Sequence, residues 1–272
     1  MQQFQEAMDV IGNNIANVDT TGFKSARVDF EDTLSQTLRG SVSGGALQIG
    51  TGVTTGAITN QFTQGGINNT GTDTDLAIDG EGFFVVTDPD TGGDYVTRAG
   101  NFHVDSGGFL VTAGGLQVQG YTTWDYTAGG FDTTQIGSIK IDLTNVPATA
   151  DPNASISAFS VDTNGMIQVT LSDSTQFYAG QVLLQYFTNP GALIKEGSNL
   201  YSGITGAGGL TTPAEALTNG LGKILAGALE GSNVDLANEF AKMITTQRAF
   251  QANARIITTS DEILAELVNL KR

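Results

Sequence analysis

Hydrophobic positions fall in steps of three and four at both ends of the chain. Over residues 233–272 the apolar or small residues Leu236, Phe240, Met243, Phe250, Ala254, Ile257, Leu264 and Val268 hold one helical phase, with polar gaps at Gln247 and Asp261. A second stripe, Ile244, Ile256, Ile263, Leu267 and Leu270, runs beside the first, so the apolar surface is wider than the seam a single partner helix covers. Ser232 and Asp235 stand in capping-box spacing ahead of it and predict the helix start. At the other end Phe4, Met8, Ile11, Ile15 and Val18 repeat with the same spacing up to the turn-like DTTG at 19–22. Two amphipathic helices are predicted, about 57 Å long for 38 residues and about 27 Å for 18, so the shorter cannot cover the longer. From periodicity alone, an intramolecular helical hairpin and a multi-subunit bundle both satisfy the pattern.

Between the helices the periodicity changes. Residues 23–70 are Gly- and Thr-rich with apolar positions that keep no clean period, and read as an extended linker with room for a short helix in its first part and with short β-like fragments around Leu47–Ile49 and Ala57–Phe62. From Leu76 to Tyr121 short apolar runs flank turn sequences: Phe83–Thr87 and Tyr95–Arg98 around DPDTGG, Phe102–Val104 and Phe109–Thr112 around DSGG, which predicts successive hairpins. Strands are also expected at Ile136–Leu143, Ile156–Val161, Met166–Leu171, Gln181–Phe187 and Lys223–Leu229. The fold class is therefore α+β. Discontinuous terminal helices (1–22 and 233–272) form a coiled-coil-like unit, residues 71–123 and 179–232 form a β-rich domain, and 124–178 is read as a small β insertion.

Charge narrows the function. Twelve Lys and Arg stand against 28 Asp and Glu, a formal net charge of −16, which repels nucleic-acid phosphates and offers no polybasic patch for an anionic membrane. Nucleic-acid binding and direct membrane insertion are not expected. The chain has no Cys, hence no disulfide, thiolate metal site or Cys nucleophile. The opening MQQFQEAMDV has neither a basic n-region nor an apolar h-region, so no cleavable secretory signal is expected.

Catalytic chemistry finds little footing. His103 is the sole histidine, no G-x-S-x-G elbow supplies a nucleophile for it, and it borders a hairpin turn. The acidic runs at 73–79 and 88–94 lack the Gly and Glu positions of a calcium loop, and turn chemistry accounts for them. GTGVTTG at 50–56 is not followed by Gly-Lys-Ser/Thr, so it is read as linker rather than phosphate loop. No cofactor, metal site or enzymatic activity is expected. Asn13, Asn14, Asn17 and Asn253 lie in or beside the helical stripes, where amides set interhelical register or simply face solvent.

Several ordered segments together carry a resemblance: IGNNIANVDTTGFKSARVDF at 11–30, DLAIDGEGFFVV at 75–86, YVTRAGNFHVDSGGFLV at 95–111, GLQVQGY at 115–121, GQVLLQYFTNPGAL at 180–193 and the whole C-terminal helix. In these the chain resembles the bacterial flagellar rod and hook axial proteins, with the likeness weakest over 124–178. Members usually carry a further apolar stretch ahead of the segment matching MQQFQEAMDV. The ending TTSDEILAELVNLKR and the stretches FKSARVDFEDTLSQTL and FTQGGINNTG resemble hook subunits, whereas the short chain and small central insertion resemble distal rod subunits. The expectation drawn is a hook subunit, with the distal rod as the alternative. The resemblance implies export through the flagellar type III apparatus and helical stacking into a hollow homopolymer outside the cytoplasm, in the basal body or hook. It also implies contact with other axial proteins of the rod and of the hook–filament junction. The assembly residues would be Phe4, Met8, Ile11, Ile15, Val18, Leu236, Phe240, Met243, Ile244, Phe250, Ile257, Ile263, Leu264 and Leu267. Taken without the resemblance, a soluble β-rich adhesin or binding protein whose helices close the fold also fits, and an enzyme less well.

Overall fold

The computed structural model describes residues 1–39, 47–126, 129–143, 145–147, 154–210 and 212–270. The chain divides into two compact units, one made of 1–18, 24–61 and 234–272, the other of 19–23 and 62–233. Residues 40–46 of the expected linker, 127–128, 144 and 148–153 of the expected insertion, and 271–272 at the end of the expected helix lie outside the described residues.

The first unit holds the two helices, α1 (Gln2–Ala16) and α2 (Leu236–Leu270). α1 stops well short of residue 22, and its C-cap Asn17 folds its N–H back onto the carbonyls of Asn13 and Asn14. α2 begins on Asp235 rather than Ser232. The Asp235 Oδ1 accepts from the N–H groups of Ala237 (2.9 Å) and Asn238 (3.3 Å), while Oδ2 accepts from the Asn238 amide at 2.8 Å. Being one residue from the helix, Asp235 reaches the orphan N–H groups of the first turn.

Residues 26–39 and 47–60 form paired strands rather than an extended linker. β1 (Ala26–Asp32), β2 (Ser35–Arg39), β3 (Leu47–Gly50) and β4 (Val53–Asn60) make an antiparallel ribbon, β1 with β4 and β2 with β3. The register Val28↔Ile58 and Asp32↔Val53 puts Val28, Phe30, Ile58 and Val53 on one face; Arg27, Asp29 and Thr59 occupy the other. Polar and apolar residues alternate there, but a bulge at Asp29/Phe30 and the abundance of Thr and Gly break the period that would reveal it.

The second unit is built on a twelve-stranded sheet. Its main path runs Ile156–Val161, Met166–Leu171, Gln176–Gln185, Gln117–Tyr121, Phe83–Thr87, Asp94–Thr97, Leu200–Ser202, Ile194–Gly197, each antiparallel to the next. Both predicted hairpins form: Phe84 pairs with Thr97 and Val86 with Tyr95 around DPDTGG, and Leu110 with Val104 around DSGG. In the first turn Asp88 accepts from the Asp90 N–H and the Thr91 hydroxyl, and these bonds hold its carboxyl below the ordinary range. The run FFVV at 83–86 is buried on both sides. Phe84 and Val86 join a large core with Ile78, Val118, Val182 and Leu184, and Phe83 and Val85 a smaller one with Val96, Phe187 and Tyr201. That is why this strand reads as an unbroken apolar run.

Lys223–Leu229, expected as one strand, is two: Lys223–Ala226 pairs with Leu76–Asp79, and Ala228–Glu230 with Ile67–Asn69. Gly227 between them sits at φ +69, a left-handed conformation glycine adopts without steric cost, and its N–H reaches the Asp75 carbonyl. The boundaries drawn at 124 and 178 have no counterpart in the packing. Ile139, Ile141, Ile167, Val169, Leu171 and Phe177 lie in the same core as Ile78 and Phe84, and Met166–Leu171 hydrogen-bonds directly to Gln176–Gln185. The inward residues of the strands there are ordinary core, with exposed turns between them. At Gly120 a Cβ would come within 2.1 Å of the Gln181 carbonyl oxygen, so only glycine lets those two strands approach.

One charged cluster is buried in this unit. Arg98, at the end of Asp94–Thr97, and Glu230 are 1% and 0% exposed and meet at 3.4 Å, with the Arg98 guanidinium carbon 5.0 Å from the centre of the Phe83 ring. Glu230 also accepts the Gly65 N–H at 2.9 Å. Burial pushes the Arg98 guanidinium down and the Glu230 charge pulls it back up; burial raises the neighbouring Tyr201 phenol to about 12.

Candidate assembly surface

Thirty-five residues give α2 a length of about 52 Å, against about 22 Å for the fifteen of α1. The consequence is visible along α2. Met243, Thr246, Ala249, Phe250, Asn253 and Ala254 are half-buried, and every described residue from 255 onward is exposed. Ile256, Ile257, Ile263, Leu264, Leu267 and Val268 are 56–67% exposed. Leu236, Phe240 and Ile244, near the start of α2, are exposed as well. On α1, Ile11 is buried and Phe4, Met8 and Ile15 are half-buried, while Val18 lies beyond the helix end and is half-buried in the turn that follows. The expected assembly residues thus fall into three groups: those the helix pair covers itself, Leu236, Phe240 and Ile244 exposed near the start of α2, and a C-terminal group that no described residue of the unit covers.

What locks the covered part is polar. Asn14, 1% exposed, donates to the Ala26 carbonyl (2.8 Å) and accepts from the Ala26 N–H (3.0 Å), standing in for a neighbouring strand at the start of β1. Its second amide hydrogen goes to Glu239 on α2 at 3.1 Å, and the other Glu239 oxygen accepts from Lys242 at 2.6 Å. One amide therefore fixes α1 against both α2 and the ribbon. A charged acceptor inside such a network is worth more than a neutral one, about 1.5–3 kcal/mol. Of the four asparagines singled out in the sequence, Asn14 makes the interhelical bond; Asn17 bonds to Asn13 within the N-terminal segment. The ribbon face meets α1 through Phe4 and Phe30, whose ring centres are 6.2 Å apart, and through Glu6, which accepts from the Thr55 hydroxyl at 2.6 Å. Sequence periodicity carried no sign of Glu239 or the ribbon face, because a buried carboxylate at a helix start and a bulged strand both break the patterns it relies on.

Among the described residues no three His, Asp or Glu side chains gather as metal ligands, and His103 stands exposed on a two-residue strand. No helix among them is long and apolar enough to cross a membrane.

A β-sheet body in one unit, and in the other paired terminal helices with a long uncovered apolar face, are the features of a structural subunit. The chain belongs to the family of flagellar axial proteins, the rod and hook components of the bacterial flagellum. Residues 1–24 match the model of the flagella basal body rod protein, 77–169 that of the flagellar hook protein FlgE/F/G D1 domain, and 225–270 that of the flagellar basal body rod FlgEFG protein C-terminal. The flagellar basal-body rod protein FlgG of Bacillus subtilis strain 168 is 41% identical over 280 residues, spanning all of this chain and 96% of the relative. Two proteins of Borreliella burgdorferi are also similar. Its rod protein FlgG is 33% identical over 281 residues (98% of this chain, 94% of the relative), and its hook protein FlgE is 26% identical over 433 residues (100% and 97%).

Proposed function

We propose that this chain is the distal rod subunit of the flagellar basal body, stacking helically into a straight hollow tube with its terminal helices as the assembly elements. The observation that carries the reading is length. The two rod relatives match over 280 and 281 residues, close to this chain's 272, whereas the hook relative requires an alignment of 433. That hook protein thus has a large stretch for which this chain has no counterpart. The 41% identity to a rod protein against 26% to a hook protein supports the same choice. The hook-like ending TTSDEILAELVNLKR falls almost wholly within 225–270, where the matching model is common to FlgE, FlgF and FlgG, so it does not favour hook over rod. Export through the flagellar type III apparatus and contact with adjoining axial proteins belong to this reading.

Location tests it. Antibody against this chain, applied to isolated hook–basal bodies and viewed by electron microscopy, is expected to decorate the straight segment below the hook. Decoration confined to the curved hook would overturn the rod assignment and restore the hook.

A further inference from the structure

A recess of about 650 Å³ opens in the sheet unit beside the short hairpin of Trp124–Asp125 and Gly130–Phe131. Trp124, the chain's sole tryptophan, stands opposite Phe131 across that hairpin with ring centres 5.0 Å apart, and its ring lies 4.5 Å from that of Tyr178 on the strand Gln176–Gln185. These contacts seat the hairpin on the main sheet and account for three aromatic side chains. They do not account for Tyr126. Its hydroxyl donates to the Asn145 carbonyl, which fixes the side chain, yet Tyr126 is 54% exposed and lines the recess together with Trp124 and Phe131. Aromatic surface that is held in place and open to solvent is surface a ligand can use.

Charge decides which ligand. Asp125 and Asp132 line the same recess, and no Lys or Arg does. One Asp132 oxygen accepts from the Thr134 N–H at 2.9 Å and from the Thr134 hydroxyl at 2.7 Å; these bonds hold its carboxyl below the ordinary range and keep it charged. Two carboxylates in one recess repel each other, and a cation placed among them relieves that repulsion. Anions are turned away by the same pair and by a net charge of −16. The ring quadrupole adds to the attraction for a cation, and among side chains indole supplies it best.

We propose that the recess beside Trp124 binds an organic cation, a guanidinium or alkylammonium group, through its aromatic rings and the carboxylates of Asp125 and Asp132. A free amine and an Arg or Lys side chain of a partner protein present the same group. A second copy of this chain is the poorer source, because 28 acidic residues against 12 basic ones make copies repel one another. The site uses no residue of α1 or α2, so it stands apart from the rod reading and from assembly through the helices.

Trp124 reports on its own site, since no other indole contributes to the signal. Tryptophan fluorescence of the purified full chain is titrated with tetramethylammonium, with N-acetylarginine amide and with a short Gly-Arg peptide, each against sodium chloride at matched ionic strength, and with neutral chitotriose. A saturable change with the cations and none with the sugar is expected. Asp125→Asn combined with Asp132→Asn should raise the half-saturating concentration by about two- to thirtyfold. Asn keeps an oxygen acceptor for the Thr134 groups, and an unchanged melting temperature separates lost binding from lost folding. Saturation by the peptide at a lower concentration than by the free amide supports the proposal with a protein as the source; equal concentrations per cation support it with a free amine. No saturable change with any cation, or one that the double Asn variant leaves unaltered, overturns it. A response to chitotriose alone overturns it in favour of a glycan site.

Discussion

Replacing Leu264 and Leu267 together by glutamate should abolish assembly while leaving the monomer's melting temperature unchanged. Both side chains are more than half exposed in the folded chain, and surface changes away from special features usually move stability by no more than about 0.5 kcal/mol. In the polymer each would lose a burial contribution of about 1.5–3 kcal/mol. Two such losses correspond to a rise of roughly 10²- to 10⁴-fold in the concentration needed for assembly, before the cost of desolvating two carboxylates is added. The measurement is the concentration at which tubes appear by electron microscopy or sedimentation, beside thermal unfolding of the monomer. An unchanged assembly concentration would remove the C-terminal stripe from the interface. A large drop in melting temperature would mean that these leucines belong to the subunit's own core.

The second large effect concerns the sheet unit. Glu230→Ala is expected to destabilise it by about 3–5 kcal/mol, because it leaves the Arg98 guanidinium buried without its counter-charge and the Gly65 N–H without its acceptor. For a unit of this size that is a fall in melting temperature on the order of 10 °C. Glu81, 3.9 Å from Arg98 and largely exposed, is too solvated to replace Glu230. Converting both partners, Arg98→Met with Glu230→Leu, should recover most of the loss, since a buried ion pair contributes little beyond what apolar residues of similar volume supply. A double variant as unstable as Glu230→Ala would show instead that the cluster specifies the packing of its neighbours. A single variant losing under about 1 kcal/mol would mean that water or rearrangement reaches Arg98.

How far the sequence reveals this structure depends on which residues carry each part. The helices and both hairpins are legible because their patterns are local: a period of three and four in 236–270, and turn residues between apolar runs in DPDTGG and DSGG. Of the ribbon only short β-like fragments around 47–49 and 57–62 are legible, since β1 and β4 join residues as far apart as Val28 and Ile58 and a bulge at Asp29/Phe30 shifts the alternation midway. The weave of 139–177 into the main core is equally hidden. Ile139 and Ile167 look like any half-buried strand residues until the sheet order places them beside Val118 and Val182. Of the candidate site, the apolar stripes are written in the periodicity, whereas its polar lock is not: Asn14 and Glu239 are 225 residues apart, and nothing local distinguishes either from a solvated side chain.

The most direct test of the central claim, that the exposed C-terminal half of α2 becomes covered when the chain assembles, is amide hydrogen exchange across residues 256–270 in the monomer and in the assembled tube. A helical end with no tertiary cover has little beyond its own propensity to hold it, and a stretch of this length is marginal alone in water. At concentrations where sedimentation shows only monomer, 256–270 is expected to exchange rapidly while the strands around Ile78 and Val182 stay protected; in the tube the same amides should slow by at least about a hundredfold, equivalent to about 2.7 kcal/mol. Slow exchange along 256–270 in the monomer, unchanged on assembly, would contradict the account.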